Sequence, residues 1–119
     1  VLEKVKAHVG DVDFAVQPEL VSLLSSRNFG RYADEKGEMK VCFISNNDIT
    51  GGNSGSAMFN SKGELLGLAF DGNWEAMSSD ILYEPKMQRT IGVDVRYILF
   101  MIEKYGKAGN LIKELNIIN

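Results

Sequence analysis

Among its 119 residues the sequence has one cysteine and one histidine, and these shortages close off several kinds of chemistry. Cys42 has no partner for an internal disulfide, and a metal site needs more ligands of this kind than the chain offers. No metal and no cofactor is therefore expected. Cys42 lies in an apolar run, residues 41–44, and reads as a small buried hydrophobe. It leaves the redox compartment open. No apolar stretch approaches the roughly 18 residues of a membrane span. Basic runs are also missing: 13 Lys and Arg stand against 16 Asp and Glu, with a net charge of −3 at pH 7 and mixed signs throughout. Nucleic acid is a poor partner for such a chain. There is no initial methionine and no charged-then-apolar leader, so the chain reads as mature, processed or excised. It has no internal repeat and no low-complexity segment.

What is present is enough apolar material, 45% of residues, to bury a core. The length fits a single domain over residues 1–119. Residues 1–15 are ambiguous. Pro18 suits the first turn of a helix, where its missing N–H costs nothing, and Leu20, Val21, Leu23 and Leu24 give that helix an apolar face. Residues 41–45 read as a strand, 46–56 as a polar glycine-rich loop, and 57–59 as a second short strand. A turn over residues 60–63, with Gly63 free to take φ > 0, leads into a third strand over 65–70. Residues 71–86 read as a long loop, of a length that is usually functional or mobile. Ile91, Val93 and Val95 alternate with polar or small residues as a strand. Asp94 then caps a helix whose face carries Tyr97, Ile98, Met101, Ile102 and Tyr105, and which Gly106 stops. A short last helix falls within residues 108–115. The fold class is mainly β with C-terminal helix (α+β).

The sharpest chemical feature is Thr50-Gly51-Gly52-Asn53-Ser54-Gly55-Ser56-Ala57. A serine hydroxyl is a weak nucleophile until a base takes its proton, and it must be held exposed beside donors for an oxyanion. Glycines around a serine permit both, because they let the backbone turn sharply and let a carbonyl carbon come close. In such a turn the N–H groups of Gly52 and Ser54 can converge to form an oxyanion hole. The same octet also has the composition of an ordinary polar turn. A P-loop is excluded, since no lysine precedes the serine. An α/β-hydrolase elbow is excluded too: Ser56 stands where its second glycine belongs, and a strand follows where a helix should.

The order of loop, nucleophile, short strand, turn and strand is similar to the second barrel of chymotrypsin-like peptidases. Longer stretches narrow the resemblance. Asn46-Asn47-Asp48-Ile49-Thr50-Gly51-Gly52-Asn53-Ser54-Gly55-Ser56 is followed by Gly67-Leu68-Ala69-Phe70-Asp71-Gly72-Asn73-Trp74-Glu75. Arg89-Thr90-Ile91-Gly92-Val93-Asp94-Val95-Arg96-Tyr97 comes next, and Phe29-Gly30-Arg31-Tyr32 lies upstream. Together these resemble the bacterial dipeptidyl-peptidase 7 and 11 family, serine peptidase family 46, over residues 14–115. The resemblance implies a C-terminal piece of a chymotrypsin-like double β-barrel, exported to the periplasm, that releases dipeptides from free N-termini. Ser54 is then the nucleophile, and the Gly52 and Ser54 N–H groups form the oxyanion hole. Asp71 holds the substrate α-amino group, as a carboxylate beside a cation would. Gly72 lies in the specificity pocket where acid-preferring members carry arginine, so an apolar residue is expected before the cut bond. Ala57 departs from the family's usual proline but can adopt the same backbone.

The larger departure is the missing base and acidic orienter, which in this family come from the N-terminal part of a much longer chain. His8 lies too near the start to follow a barrel and reads as a surface or partly buried histidine. Without the resemblance Asp71 is an exposed loop carboxylate. Asp48 and Asp80 read as turn or capping residues, and Trp74 as packing beside the site or as a pocket wall. The partners expected are peptide substrates, the N-terminal remainder of the parent and, through an uncovered apolar face, a second copy in a homodimer. The chain alone is expected to self-associate or to remodel its serine loop, and not to hydrolyse peptides. Two alternatives remain: a stand-alone β-rich binding module, which an upstream histidine and aspartate in the parent would argue against, and an endopeptidase, which would cut N-terminally blocked substrates.

Overall fold

The structure is a computed structural model that describes residues 1–78 and 81–118. Asp80, expected in a turn, lies outside the described residues. The described chain forms two compact units: Val1–Glu38 with Phe100–Asn119, and Met39–Leu99.

The unit Met39–Leu99 is built on an antiparallel sheet of β1 (Cys42–Ser45), β2 (Ala57–Phe59), β3 (Leu65–Gly72) and β4 (Thr90–Asp94), in the order β1-β4-β3-β2. β2 and β3 form the expected hairpin. Its turn is closed by Gly63, at φ +78°, whose N–H reaches the Asn60 carbonyl at 3.0 Å. The Asn60 side chain accepts from the N–H groups of Lys62 and Glu64 at 2.9 and 3.0 Å. β3 runs two residues past the expected 65–70. A bulge at Phe70 shifts the register so that Asp71 and Gly72 pair with Ile91 and Thr90, and what sequence read as the start of a loop is the end of a strand.

Register puts Phe43, Met58, Gly67, Ala69 and Gly92 on one face of the sheet. Glycine inside a strand weakens it unless something approaches closely. A Cβ on Gly92 would lie 2.7 Å from the Phe43 ring and 2.8 Å from the Met58 sulfur, and one on Gly67 would lie 2.8 Å from the same ring. The bulky side chains of β1 and β2 therefore rest on glycine backbone, and Ala69, Thr90 and Asp94 are buried here. The opposite face carries Cys42, Ile44, Phe59, Leu65, Leu68, Ile91 and Val93, with Ile44 68% and Phe59 60% exposed. This corrects the expectation for Cys42, which is exposed: β1 is an edge strand, and its outward face lies open.

The other unit is helical. α1 (Leu2–Ala7) and α2 (Pro18–Ser25) come first, and α2 starts with Pro18 in its first turn as expected. α3 (Val95–Phe100) closes the sheet-bearing unit at Leu99, and Phe100 begins the later segment of the helical one. A π-helical turn over Met101–Tyr105 and α4 (Gly109–Ile112) follow. Leu24, Phe29, Tyr32, Phe100 and Ile112 are buried. The rings of Phe29 and Tyr32 meet Phe100 edge-on at 5.7 and 6.3 Å. Tyr32 donates to the Glu103 carboxylate at 2.7 Å. Burial, and then that hydrogen bond, push its hydroxyl pKa above the ordinary value.

Two helix expectations need adjustment. The face read from periodicity is only half-buried, and the buried side chains are the neighbouring Leu99 and Phe100. The widened π turn at Met101 rotates later side chains away from a 3.6-residue spacing. Gly106 does end the helix, but with helical φ; the left-handed residue is Lys107, at φ +53°. Among the described residues no helix is long and apolar enough to cross a membrane.

Candidate active site

The loop between β1 and β2 is closed on itself by Asn53. Its side-chain oxygen accepts from the Thr50 N–H at 2.9 Å, and its backbone N–H reaches the Thr50 carbonyl at 3.2 Å. Gly52 and Gly55 take φ +94° and +87°, conformations that a Cβ disfavours. The loop is stapled to β3 by Gly55 N–H to the Ala69 carbonyl, 2.7 Å, and Ala69 N–H to the Ser56 carbonyl, 2.8 Å. This leaves Ser54 exposed on the turn, with its hydroxyl donating to the Phe70 carbonyl at 3.2 Å. Among the described residues no backbone carbonyl is recorded as accepting from the N–H of Gly52 or Ser54.

Ser54, Asp71 and Gly72 line one cavity of about 230 Å³. Thr50 and Gly51 lie on the serine-loop side, and Ile49, Phe70, Ala76 and Met77 supply apolar wall. Among the described lining residues there is no lysine or arginine, and Asp71 is the only charged side chain. Asp71 is exposed, and one carboxylate oxygen accepts from the Gly72 N–H at 2.8 Å. The start of the loop is anchored from across the unit: Thr90 donates to the Asn47 carbonyl at 2.7 Å, and the Tyr83 hydroxyl bonds the Asn46 carbonyl.

The wall beyond Gly72 rests on Asn73. Its N–H reaches the Arg89 carbonyl at 2.9 Å, its side-chain oxygen accepts from the Arg89 N–H at 2.8 Å, and its amide nitrogen donates to the Met87 carbonyl at 2.8 Å. Its carbonyl accepts from Ala76 at 2.9 Å, opening a 3₁₀ turn over Trp74–Ser78. Buried Gln88 ties down the neighbouring segment through the Leu82 carbonyl, 3.1 Å, and the Glu84 N–H, 2.9 Å.

The structure thus brings Ser54, Asp71 and Gly72 together around one cavity, with Gly52 in the same unit, and the other residues considered do not line that cavity. Trp74 is 80% exposed, not packed, and lies outside the lining of this cavity. It starts the 3₁₀ turn and faces solvent, while Ala76 and Met77 of that turn form the wall. His8 stacks on Phe14 at 4.0 Å in the helical unit, and the sheet-bearing unit has no histidine. Asp94 is buried, accepts from the Arg96 N–H at 2.9 Å and pairs with its guanidinium at 2.6 Å, which is the capping role expected. Asp48 is an exposed loop residue. Sequence reasoning missed Ile49, Asn73, Ala76 and Met77. The only signal for Asn73 was its place after a strand-end glycine, where Asn side chains bond nearby backbone.

A family model described as peptidase S46 matches residues 1–117. Dipeptidyl-peptidase 7 of Porphyromonas endodontalis is 63% identical over 106 residues, covering 89% of this chain and 13% of that protein. The Asp/Glu-specific dipeptidyl-peptidase of Capnocytophaga gingivalis is 49% identical over 109 residues, 92% of this chain and 15% of that protein. The crystal structure of Porphyromonas endodontalis DPP11 in complex with the dipeptide Arg-Glu matches with a TM-score of 0.88 and 43% identity, over 95% of this chain and 16% of that one. The chain therefore spans about one-seventh of the length of such relatives.

Proposed function

The chain belongs to the peptidase S46 family, and we propose that it is the serine-bearing part of a serine-type dipeptidyl-peptidase. The observation that carries this reading is that Ser54 of the serine loop and the adjacent Asp71 and Gly72 at the end of β3 line one cavity. In the reaction the Ser54 hydroxyl leaves the Phe70 carbonyl, gives its proton to a base and attacks the substrate carbonyl carbon. The carbonyl oxygen takes the negative charge and is met by the Gly52 and Ser54 N–H groups. Collapse expels the amine of the shortened peptide, protonated by the base, and leaves the dipeptide as an ester on Ser54 that water then hydrolyses. Asp71 holds the free α-amino group, so cleavage falls two residues in.

Histidine base and acidic orienter come from the rest of the parent, and the chain alone is inactive. That remainder completes a chymotrypsin-like double barrel and covers the open apolar face of the sheet; alone, the chain pairs through that face as a homodimer. A lining without a cation supports an apolar residue before the cut bond, since neither lysine nor arginine lines the described cavity to receive an acid. Export to the periplasm goes with the resemblance on which the peptidase reading draws.

The test uses the full-length parent and fluorogenic dipeptidyl substrates with free or acetylated amines. Cleavage of free-amine apolar substrates, lost on acetylation and with Ser54→Ala, is expected. Cleavage of acetylated substrates would replace the dipeptidyl reading with an endopeptidase, and no cleavage would favour a binding module.

A further inference from the structure

Gly72 is not a glycine because of its backbone. Its φ lies outside the left-handed region, and it pairs with Thr90 as an ordinary strand residue. It is a glycine because of what stands beside it. A Cβ there would lie 2.8 Å from the Ala76 Cβ and 3.4 Å from Ile49 Cγ2. The first contact is too close to exist without movement, and the Ala76 methyl cannot swing aside, because it moves only with its backbone. Ala76 thus fills the space that a side chain at position 72 would claim.

That backbone is fixed. The Ala76 N–H bonds the Asn73 carbonyl, and Asn73 grips both Met87 and Arg89 through its side-chain amide. A wall held on three hydrogen bonds to the approach of β4 has a set position, unlike one made by a long flexible side chain. Ala76 also lines the cavity that contains Ser54 and Asp71.

We propose that Ala76, positioned by the Asn73 clamp, sets the depth of the pocket at Gly72 and so the largest apolar side chain accepted before the cut bond. This rests on the peptidase reading of Ser54 and Gly72. Ala76→Gly removes the methyl and opens space beneath the bound side chain. Ala76→Leu fills it. Asn73→Ser releases the turn while leaving the methyl in place.

The experiment measures kcat/KM of the full-length parent for free-amine dipeptidyl substrates with Ala, Leu or Phe as second residue. One methylene of pocket space is worth on the order of tenfold in discrimination. The Phe-to-Ala ratio is expected to rise about tenfold in Ala76→Gly, to fall by about as much in Ala76→Leu, and to rise by less in Asn73→Ser. Gly72→Ala is expected to lose activity that the Gly72→Ala/Ala76→Gly pair regains, as for two side chains competing for one volume. Equal changes for all three substrates, or no regain in the pair, would overturn the role of Ala76 while Ser54-dependent cleavage keeps the peptidase reading. A parent that cleaves none of them, or cleaves equally with Ser54→Ala, would overturn the reading beneath it.

Discussion

In the helical unit the largest side chains are the most hidden: Phe100 is fully buried and Tyr32 is 2% exposed. In the sheet-bearing unit the order is reversed. Its buried residues include Ala69, Thr90, Gln88 and Asp94, while Ile44, Phe59, Phe70 and Trp74 lie more than half exposed. One unit is held by an aromatic and aliphatic core of its own. The other is held by glycine backbone under Phe43 and Met58, by sheet pairing and by side-chain clamps such as Asn73. The candidate site belongs to the second kind. A serine loop, a strand-end carboxylate and a wall residue are set by hydrogen bonds to backbone, and large apolar side chains of their unit lie exposed.

Phe100→Ala should break the first half of that contrast most strongly. Deleting a fully buried aromatic costs about 3–5 kcal/mol, read as a lower midpoint in chemical denaturation of the chain. A loss under 1 kcal/mol would mean that the ring carries little of the unit's core. Ile44→Ser and Phe59→Ser probe the second half. Both sites are already open, so in the isolated chain each should change stability by no more than about 0.5 kcal/mol, while sedimentation shows self-association falling. A large loss of stability with association unchanged would show that the face is covered within the chain.

The smallest effect concerns Tyr32. Its hydroxyl, ordinarily at 10.0, is raised first by burial and then by its bond to Glu103. The folded state therefore holds this proton more tightly than the unfolded state. The stabilisation is complete below pH 10 and is lost as pH rises through the folded value. Tyr32→Phe should flatten the decline in stability above pH 10; an unchanged slope would place the titration elsewhere.

Much of the sheet was legible because its signals are local. Short apolar runs gave β1, β2 and β3 and alternation gave β4, Asn60 and Gly63 gave the turn, Pro18 and Asp94 marked helix starts. The serine loop was legible because Gly52 and Gly55 are demanded by positive φ. The rest depended on distant pairing. The bulge at Phe70 that carries β3 on to Gly72 exists only because β4 lies beside it. The exposure of Cys42 follows from β1 being an edge, which its own apolar run does not reveal. Ala76 looks like any alanine until its 2.8 Å approach to a Cβ at Gly72 is seen.

The central claim is that Ser54 becomes a nucleophile when the rest of the parent surrounds it. The most direct measurement treats the full-length parent and the isolated chain with a fluorophosphonate, digests both and maps the adduct by mass spectrometry. Phosphonylation of Ser54 in the parent, with the isolated chain unmodified, is the expected result. An adduct on another serine of the parent, or an unmodified Ser54 in a parent that still cleaves dipeptidyl substrates, would contradict it.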